Sequence, residues 1–214
     1  MKIVLFDLDG TITDSSEGIV NSIKYALARL GFPEEPVDKI KQFIGPPLQH
    51  TFGINYGIKD YHNAVAIYRE YYADKGIYEN RLYDGIVEVL EKLKSLGYTI
   101  GLATGKPTYY SHIILKHFKI DHYFDAVVGS NMDGTRGEKP EIIRDVLAEL
   151  KFNRDKHSVI MIGDRKHDVH GAKHHGIQCI GVSYGYAEEN ELKKAGAAHI
   201  VQHPLDLLNI ITKK

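Results

Sequence analysis

From Tyr83 onward, short apolar runs alternate with stretches of helical periodicity, and this alternation limits the possible folds more than any other feature of the chain. Residues 98–103, 124–129, 158–162, 178–182 and 198–201 have strand length and are rich in Val, Ile, Tyr and Phe. Between them, apolar residues recur every three or four positions, as with Val87, Leu90 and Leu93 before Gly97, or Leu205, Leu208 and Ile211 near the end. Asp84 is expected to cap the first of these helices, and Pro140, tolerated in a first helical turn, to open another that runs to Leu150. Strand and helix in alternation predict an α/β fold, a Rossmann-like parallel sheet with helices on both faces.

The first strand of such a sheet is residues 3–6, and it stops abruptly at Asp7 and Asp9, followed by Gly10 and Thr11. Side chains two apart in an extended chain point the same way, so both carboxylates share one side of the strand end. Open parallel sheets bind ligands at the carboxyl ends of their strands. Two carboxylates held this close repel unless a cation lies between them or one keeps a proton. The pair therefore predicts a metal, an acid/base group, or both.

The stretch 15–82 breaks the alternation. Asp14 to Glu17 has the form of a capping box with Asp in the Ser/Thr place, after which Ile19, Val20, Ile23, Leu27 and Leu30 keep helical spacing up to Gly31. A short amphipathic segment ends at Gly45-Pro46-Pro47, and a longer helix is expected from about 60 to 75, with Tyr68, Tyr71 and Tyr72 in its packing core. The expected organisation is an α/β core of residues 1–14 and 83–214, with residues 15–82 as an inserted helical cap domain over the strand ends and the two connections acting as a hinge.

The 27 Lys and Arg nearly cancel the 28 Asp and Glu, which offers nucleic acid or a membrane surface no electrostatic attraction. A lone Cys179 has no partner for an internal disulfide, and the apolar run at the amino terminus is far shorter than a membrane span. The expectation is a cytoplasmic protein, monomer or homodimer. His170 and His174 have the i, i+4 spacing of a zinc pair, but no Glu or Cys accompanies them in the required places.

Four polar segments sit just past apolar strands or at helix starts: Asp7-x-Asp9-Gly10-Thr11, Thr104-Gly105-Lys106, Glu138-Lys139-Pro140, and Gly163-Asp164 through Asp168. Together they supply carboxylates, a hydroxyl and lysines, an inventory suited to Mg²⁺ and a phosphoryl group. One carboxylate can attack phosphorus while another moves protons. Gly105 and Lys106 are expected at a helix start, where backbone N–H groups bind anions. The turn Asn131-Met132-Asp133-Gly134-Thr135 copies the first segment with an amide in place of the leading carboxylate, and is read as a loop.

In order and spacing the four segments resemble the four motifs of the haloacid dehalogenase-like (HAD) hydrolase superfamily, and the helical insert resembles the cap found there between motifs one and two. The resemblance implies that Asp7 is the nucleophile and a Mg²⁺ ligand, and that Asp9 is the general acid/base, its backbone carbonyl also on the metal. It makes Thr104 and Lys139 the groups that bind and neutralise the transferring phosphoryl, with Gly10, Thr11, Gly105 and Lys106 around the phosphate. Asp164 becomes the third protein ligand of Mg²⁺, and Asp168 the carboxylate that orients the lysine and the metal's waters. Since dehalogenases proper lack the second aspartate, Asp9 implies phosphoryl transfer. Ile44-Gly45-Pro46-Pro47-Leu48 and Gly181-Val182-x-Tyr184-Gly185-Tyr186 are similar to phosphoglycolate phosphatase, whereas the stretch 133–141 looks more like a neighbouring 5′-nucleotidase group. The implied activity is Mg²⁺-dependent hydrolysis of a small phosphorylated metabolite through an aspartyl phosphate. The alternatives are a 5′-nucleotidase, a phosphomutase and, from another class, a non-catalytic binding module.

Overall fold

The computed structural model describes residues 2–213, which divide into two compact units: residues 2–13 with 82–213, and residues 14–81. The larger unit is built on a six-stranded sheet, every adjacent pair parallel. Its strands are β1 (Lys2–Phe6), β4 (Thr99–Pro107), β5 (Ala126–Ser130), β6 (Ser158–Gly163), β7 (Gln178–Val182) and β8 (His199–Val201), in the spatial order β5-β4-β1-β6-β7-β8. The remaining strands, β2 (Thr13–Asp14) and β3 (Arg81–Leu82), pair with each other at the two points where the chain passes between the units.

Helices α4 (Ile86–Ser95), α5 (Thr108–His117), α6 (Lys139–Glu149), α7 (Lys166–His174), α8 (Glu191–Ala195) and α9 (Asp206–Ile211) connect and cover these strands. Alternation along β1 divides its side chains between two apolar layers. Ile3 and Leu5 join Val128, Met161, Ile142 and Ile143 of α6, and Val169 and Ala172 of α7, in one continuous core. Val4 and Phe6, facing the other way, are equally inaccessible. A strand apolar on both faces belongs at the centre of a parallel sheet, and β1 lies there.

The starts of α4 and α1 differ from the expectation. Gly85, not Asp84, occupies the cap of α4, because the chain turns there through a positive φ of 84°. The Asp14 carboxylate accepts bonds from the N–H (3.2 Å) and hydroxyl (2.7 Å) of Ser16, a local turn in which Glu17 takes no part, so no capping box forms. The short helix α8, five residues long, carries no periodic run by which the sequence marks it.

The smaller unit holds α1 (Ser16–Arg29), α2 (Val37–Lys41) and α3 (Tyr61–Tyr71), with π-helical turns at His50–Asn55 and Tyr72–Gly76. Asp60 caps α3 through the Asn63 N–H (3.1 Å). Gly18 lets α1 approach the backbone of Gly76, where any Cβ would overlap a carbonyl. Tyr68 and Tyr72 stack at 5.4 Å between centroids and are buried, while Tyr71 donates to Glu79 (2.8 Å). Among the described residues no helix is long and apolar enough to cross a membrane.

Candidate active site

From β1 the chain moves first to β4 and β5 on one side and later to β6, β7 and β8 on the other. A crevice opens at such a switch point, beyond the carboxyl end of the strand where the order reverses. Asp7 and Asp9 leave β1 at that point, flanked by Thr104 on β4 and Asp164 just past β6. Lys139 comes from the first turn of α6 and Asp168 from the first turn of α7.

One oxygen each from Asp7, Asp164 and Asp168 lie within 4.8 Å of one another, all three residues being buried. Among the described residues one ammonium faces them: Lys139 Nζ is 3.1 Å from Asp7 Oδ2 and 2.7 Å from Asp168 Oδ1, and it donates to the Ala103 carbonyl at 3.0 Å. Burial pushes the Asp7 carboxyl up to about 6, Lys139 opposing and Asp168 reinforcing the shift. Asp164 is raised further by the same burial and by the charges of Asp168 and Asp7. Burial works against charge on Lys139 too, but Asp168 and Asp7 outweigh it and hold the ammonium protonated well above its ordinary range. Three carboxylates against one ammonium leave a net negative, oxygen-lined pocket. A hard divalent cation fits that donor set, and a soft metal wanting sulfur or imidazole does not.

Close packing fixes these positions. The Leu8 N–H donates to Asp7 Oδ1 at 2.8 Å. Gly10, at a φ of 81°, passes so near Asp164 that a Cβ there would overlap its carboxylate, and a Cβ on Gly163 would overlap Asp168 in the same way. The Thr11 hydroxyl reaches Asp164 Oδ1 only at 3.5 Å. Asp168 Oδ2 accepts from the Arg165 N–H (3.0 Å), tying it to the start of α7. Gly171 in α7 leaves room for the Lys139 stem, and His175 Nε2 donates to the Pro140 carbonyl at 2.7 Å, steadying the α6 start.

Gly105 and Lys106 do not stand at a helix start as expected. The β4–β5 register shifts between Ala103 and Pro107, so β4 continues through a bulge to Pro107 and α5 begins only at Thr108. Within the bulge the Lys106 N–H donates to Thr104 Oγ1 (3.2 Å), while the Lys106 ammonium pairs with Asp9 Oδ2 at 2.7 Å. The 131–135 copy of the first motif is a turn, with Gly134 at a φ of 86° and Asp133 bonded to the Thr135 N–H and hydroxyl.

A further contribution comes from the loop after β7. The Tyr186 N–H donates to Asp164 Oδ2 (2.7 Å), the Tyr184 hydroxyl to the Thr11 carbonyl (3.0 Å), and Gly185 lies against Gly10 and Asp164 with no space for a Cβ. Glu191 reinforces the other side, accepting from Arg165 Nε (3.0 Å) and the Lys166 N–H (2.7 Å). The Tyr184-Gly185-Tyr186 sequence is visible as a motif, but backbone donors carry no residue signature, and Glu191 lies far along the chain from its partners.

A 5′-nucleotidase of Pseudomonas aeruginosa is 45% identical over 198 residues, covering 92% of this chain and 89% of that protein. The tyrosine-protein kinase PtkA of Mycobacterium tuberculosis is 36% identical over 202 residues, 94% of this chain and 68% of that one. A crystal structure of a predicted phosphatase from Clostridium acetobutylicum superposes with a TM-score of 0.93 at 43% identity, covering 99% of this chain and 98% of the other. The pattern of the haloacid dehalogenase-like hydrolases matches residues 4–182, a span that carries Asp7, Asp9, Thr104, Lys139, Asp164 and Asp168 and the insert between them, and the chain belongs to that family.

Proposed function

We propose that this chain is a Mg²⁺-dependent phosphomonoesterase in which Asp7 is the nucleophile. The observation that carries the reading is a buried carboxylate at the end of the central strand, 3.1 Å from a buried lysine and within a cluster of three aspartates. In this reading Asp7 attacks phosphorus while Asp9 gives a proton to the leaving oxygen. Asp9 then takes a proton from the water that hydrolyses the aspartyl phosphate. Lys139 and the Thr104 hydroxyl stabilise the charge on the transferring group. Asp7, Asp164 and the Asp9 carbonyl would hold Mg²⁺, which supplies positive charge to the phosphoryl oxygens. The inserted unit, residues 14–81, is assigned the part of a cap that selects the substrate.

Within the class of small phosphorylated metabolites, the 45% identity to a 5′-nucleotidase supports nucleoside 5′-monophosphates ahead of phosphoglycolate. A panel of nucleoside monophosphates, phosphoglycolate and sugar phosphates, scored by inorganic phosphate released with Mg²⁺ and with chelator, tests this. Steady phosphate release from a nucleotide that chelator abolishes is the expected result. Isomerised sugar phosphate with no phosphate release identifies a mutase instead, and no turnover of any ester rejects the enzyme reading.

A further inference from the structure

The bulge in β4 has a construction of its own. Gly129 on β5 lies against the Lys106 carbonyl so closely that any Cβ would overlap it, and the Ser130 hydroxyl donates to the Gly105 carbonyl at 2.8 Å. Bulges re-aim side chains near strand ends. Here the Thr104 side chain, at the start of the bulge, hydrogen-bonds the Asp7 carboxylate, while the Lys106 side chain reaches Asp9 at 2.7 Å. Both members of that pair are largely withdrawn from solvent, with side-chain exposures of 6% and 15%. An ion pair in such surroundings is stronger and more directional than a surface one.

We propose that Lys106 is a positioning residue for Asp9, holding its carboxylate in the orientation from which it deprotonates the water that hydrolyses the aspartyl phosphate. The inference rests on the phosphomonoesterase reading above and replaces the expectation that Lys106 binds phosphate. In the step it serves, a water oxygen forms a bond to phosphorus, the Asp7 Oδ–P bond breaks, and the water proton passes to Asp9. Formation of the aspartyl phosphate from an ester with a good leaving group needs no proton from Asp9, so that half-reaction depends less on Lys106.

The two halves separate with p-nitrophenyl phosphate. A Lys106→Met variant is expected to lose about 10- to 100-fold in kcat, less than the roughly 10²- to 10⁴-fold a general base contributes because Asp9 itself remains, with kcat/KM reduced less than about threefold in the same assay. A burst of p-nitrophenol equal to the enzyme present should then precede slow steady turnover. Burst size against later rate is read within one preparation, so partial misfolding does not mimic it. Lys106→Arg should recover much of kcat, and adding Lys106→Met to Asp9→Asn should cost less than about twofold more, since both act through one group. A raised KM with unchanged kcat would return Lys106 to phosphate binding, and equal loss of kcat and kcat/KM without a burst would make it merely structural. Either outcome overturns the proposal. Asp7→Asn run alongside separates the two levels: if it keeps turnover, the aspartyl-phosphate reading itself fails, whatever Lys106 does.

Discussion

Asp7 and its neighbours carry the sharpest consequences at the scale of single residues. Its carboxyl is raised from 3.8 to about 6 by burial, so without metal the folded chain binds this proton more tightly than the unfolded chain does. The contribution of that proton to stability is complete below about pH 3.8 and is lost as pH rises through about 6. At neutral pH the ionised Asp7 then shares the Lys139 ammonium with Asp168, and Asp7→Asn removes that buried charge while Lys139 keeps Asp168 and the Ala103 carbonyl. In chelator at pH 7.5 the variant should melt higher than the parent by at least about 3 °C, the gap closing toward pH 4, since each pKa unit is worth ~1.4 kcal/mol and each kcal/mol moves Tm by ~2–4 °C at this size. Calorimetry across that pH range checks it, and a lower Tm for the variant would contradict the charge balance described. That Asp7 and Asp9 follow directly on the first strand was readable in the sequence, because an apolar run that stops at carboxylates marks a strand end, whereas the clustering of Asp7 with Asp164 and Asp168 was not. Nor was it readable which lysine faces which aspartate. Lys106 and Lys139 stand far apart in the chain, and only the bulge sends one to Asp9 while the other reaches Asp7.

Among the elements, the loop after β7 is the least obvious part of the site. Gly185 packs against the Gly10 carbonyl and Asp164 Cβ, and the Tyr186 N–H fixes an Asp164 oxygen. Gly185→Ala must push backbone or carboxylate aside, at about 1–3 kcal/mol, the usual cost of overpacking. It should also lower the affinity for Mg²⁺ at least about tenfold through the misplaced ligand, in line with the loss on disturbing groups that orient metal ligands. Titration calorimetry with Mg²⁺ measures this, and unchanged affinity in a folded variant would remove the loop from the site. Strands β1, β6 and β7 were legible because apolar runs bounded by Gly or Asp have little alternative. The caps of α1 and α4 were misread because a carboxylate near a helix start has several backbone donors within reach, and the sequence does not say which one it takes. The extension of β4 to Pro107 escaped for a related reason, since a bulge is fixed by Gly129 and Ser130 on the neighbouring strand.

For the whole molecule, the parallel order β5-β4-β1-β6-β7-β8 follows from the alternation of strand and helix, but the side on which each strand joins the sheet does not. That order decides where the crevice opens. The four motifs are legible in the sequence, and the strand order brings Asp7, Thr104, Lys139 and Asp164 to one end of the sheet. If the aspartate cluster takes Mg²⁺, millimolar Mg²⁺ should raise the Tm of the intact protein by several degrees, as any ligand of the native state does when well above its Kd. Asp164→Asn should abolish the shift, whereas an equal shift in that variant would put the ion elsewhere. The account as a whole stands on one carboxylate attacking phosphorus. The direct test is steady-state phosphate release from the best ester of the panel, with Mg²⁺, by folded Asp7→Asn beside the parent enzyme. A fall of at least about 10⁴-fold is predicted for loss of a nucleophile, and turnover within about tenfold of the parent would contradict the account.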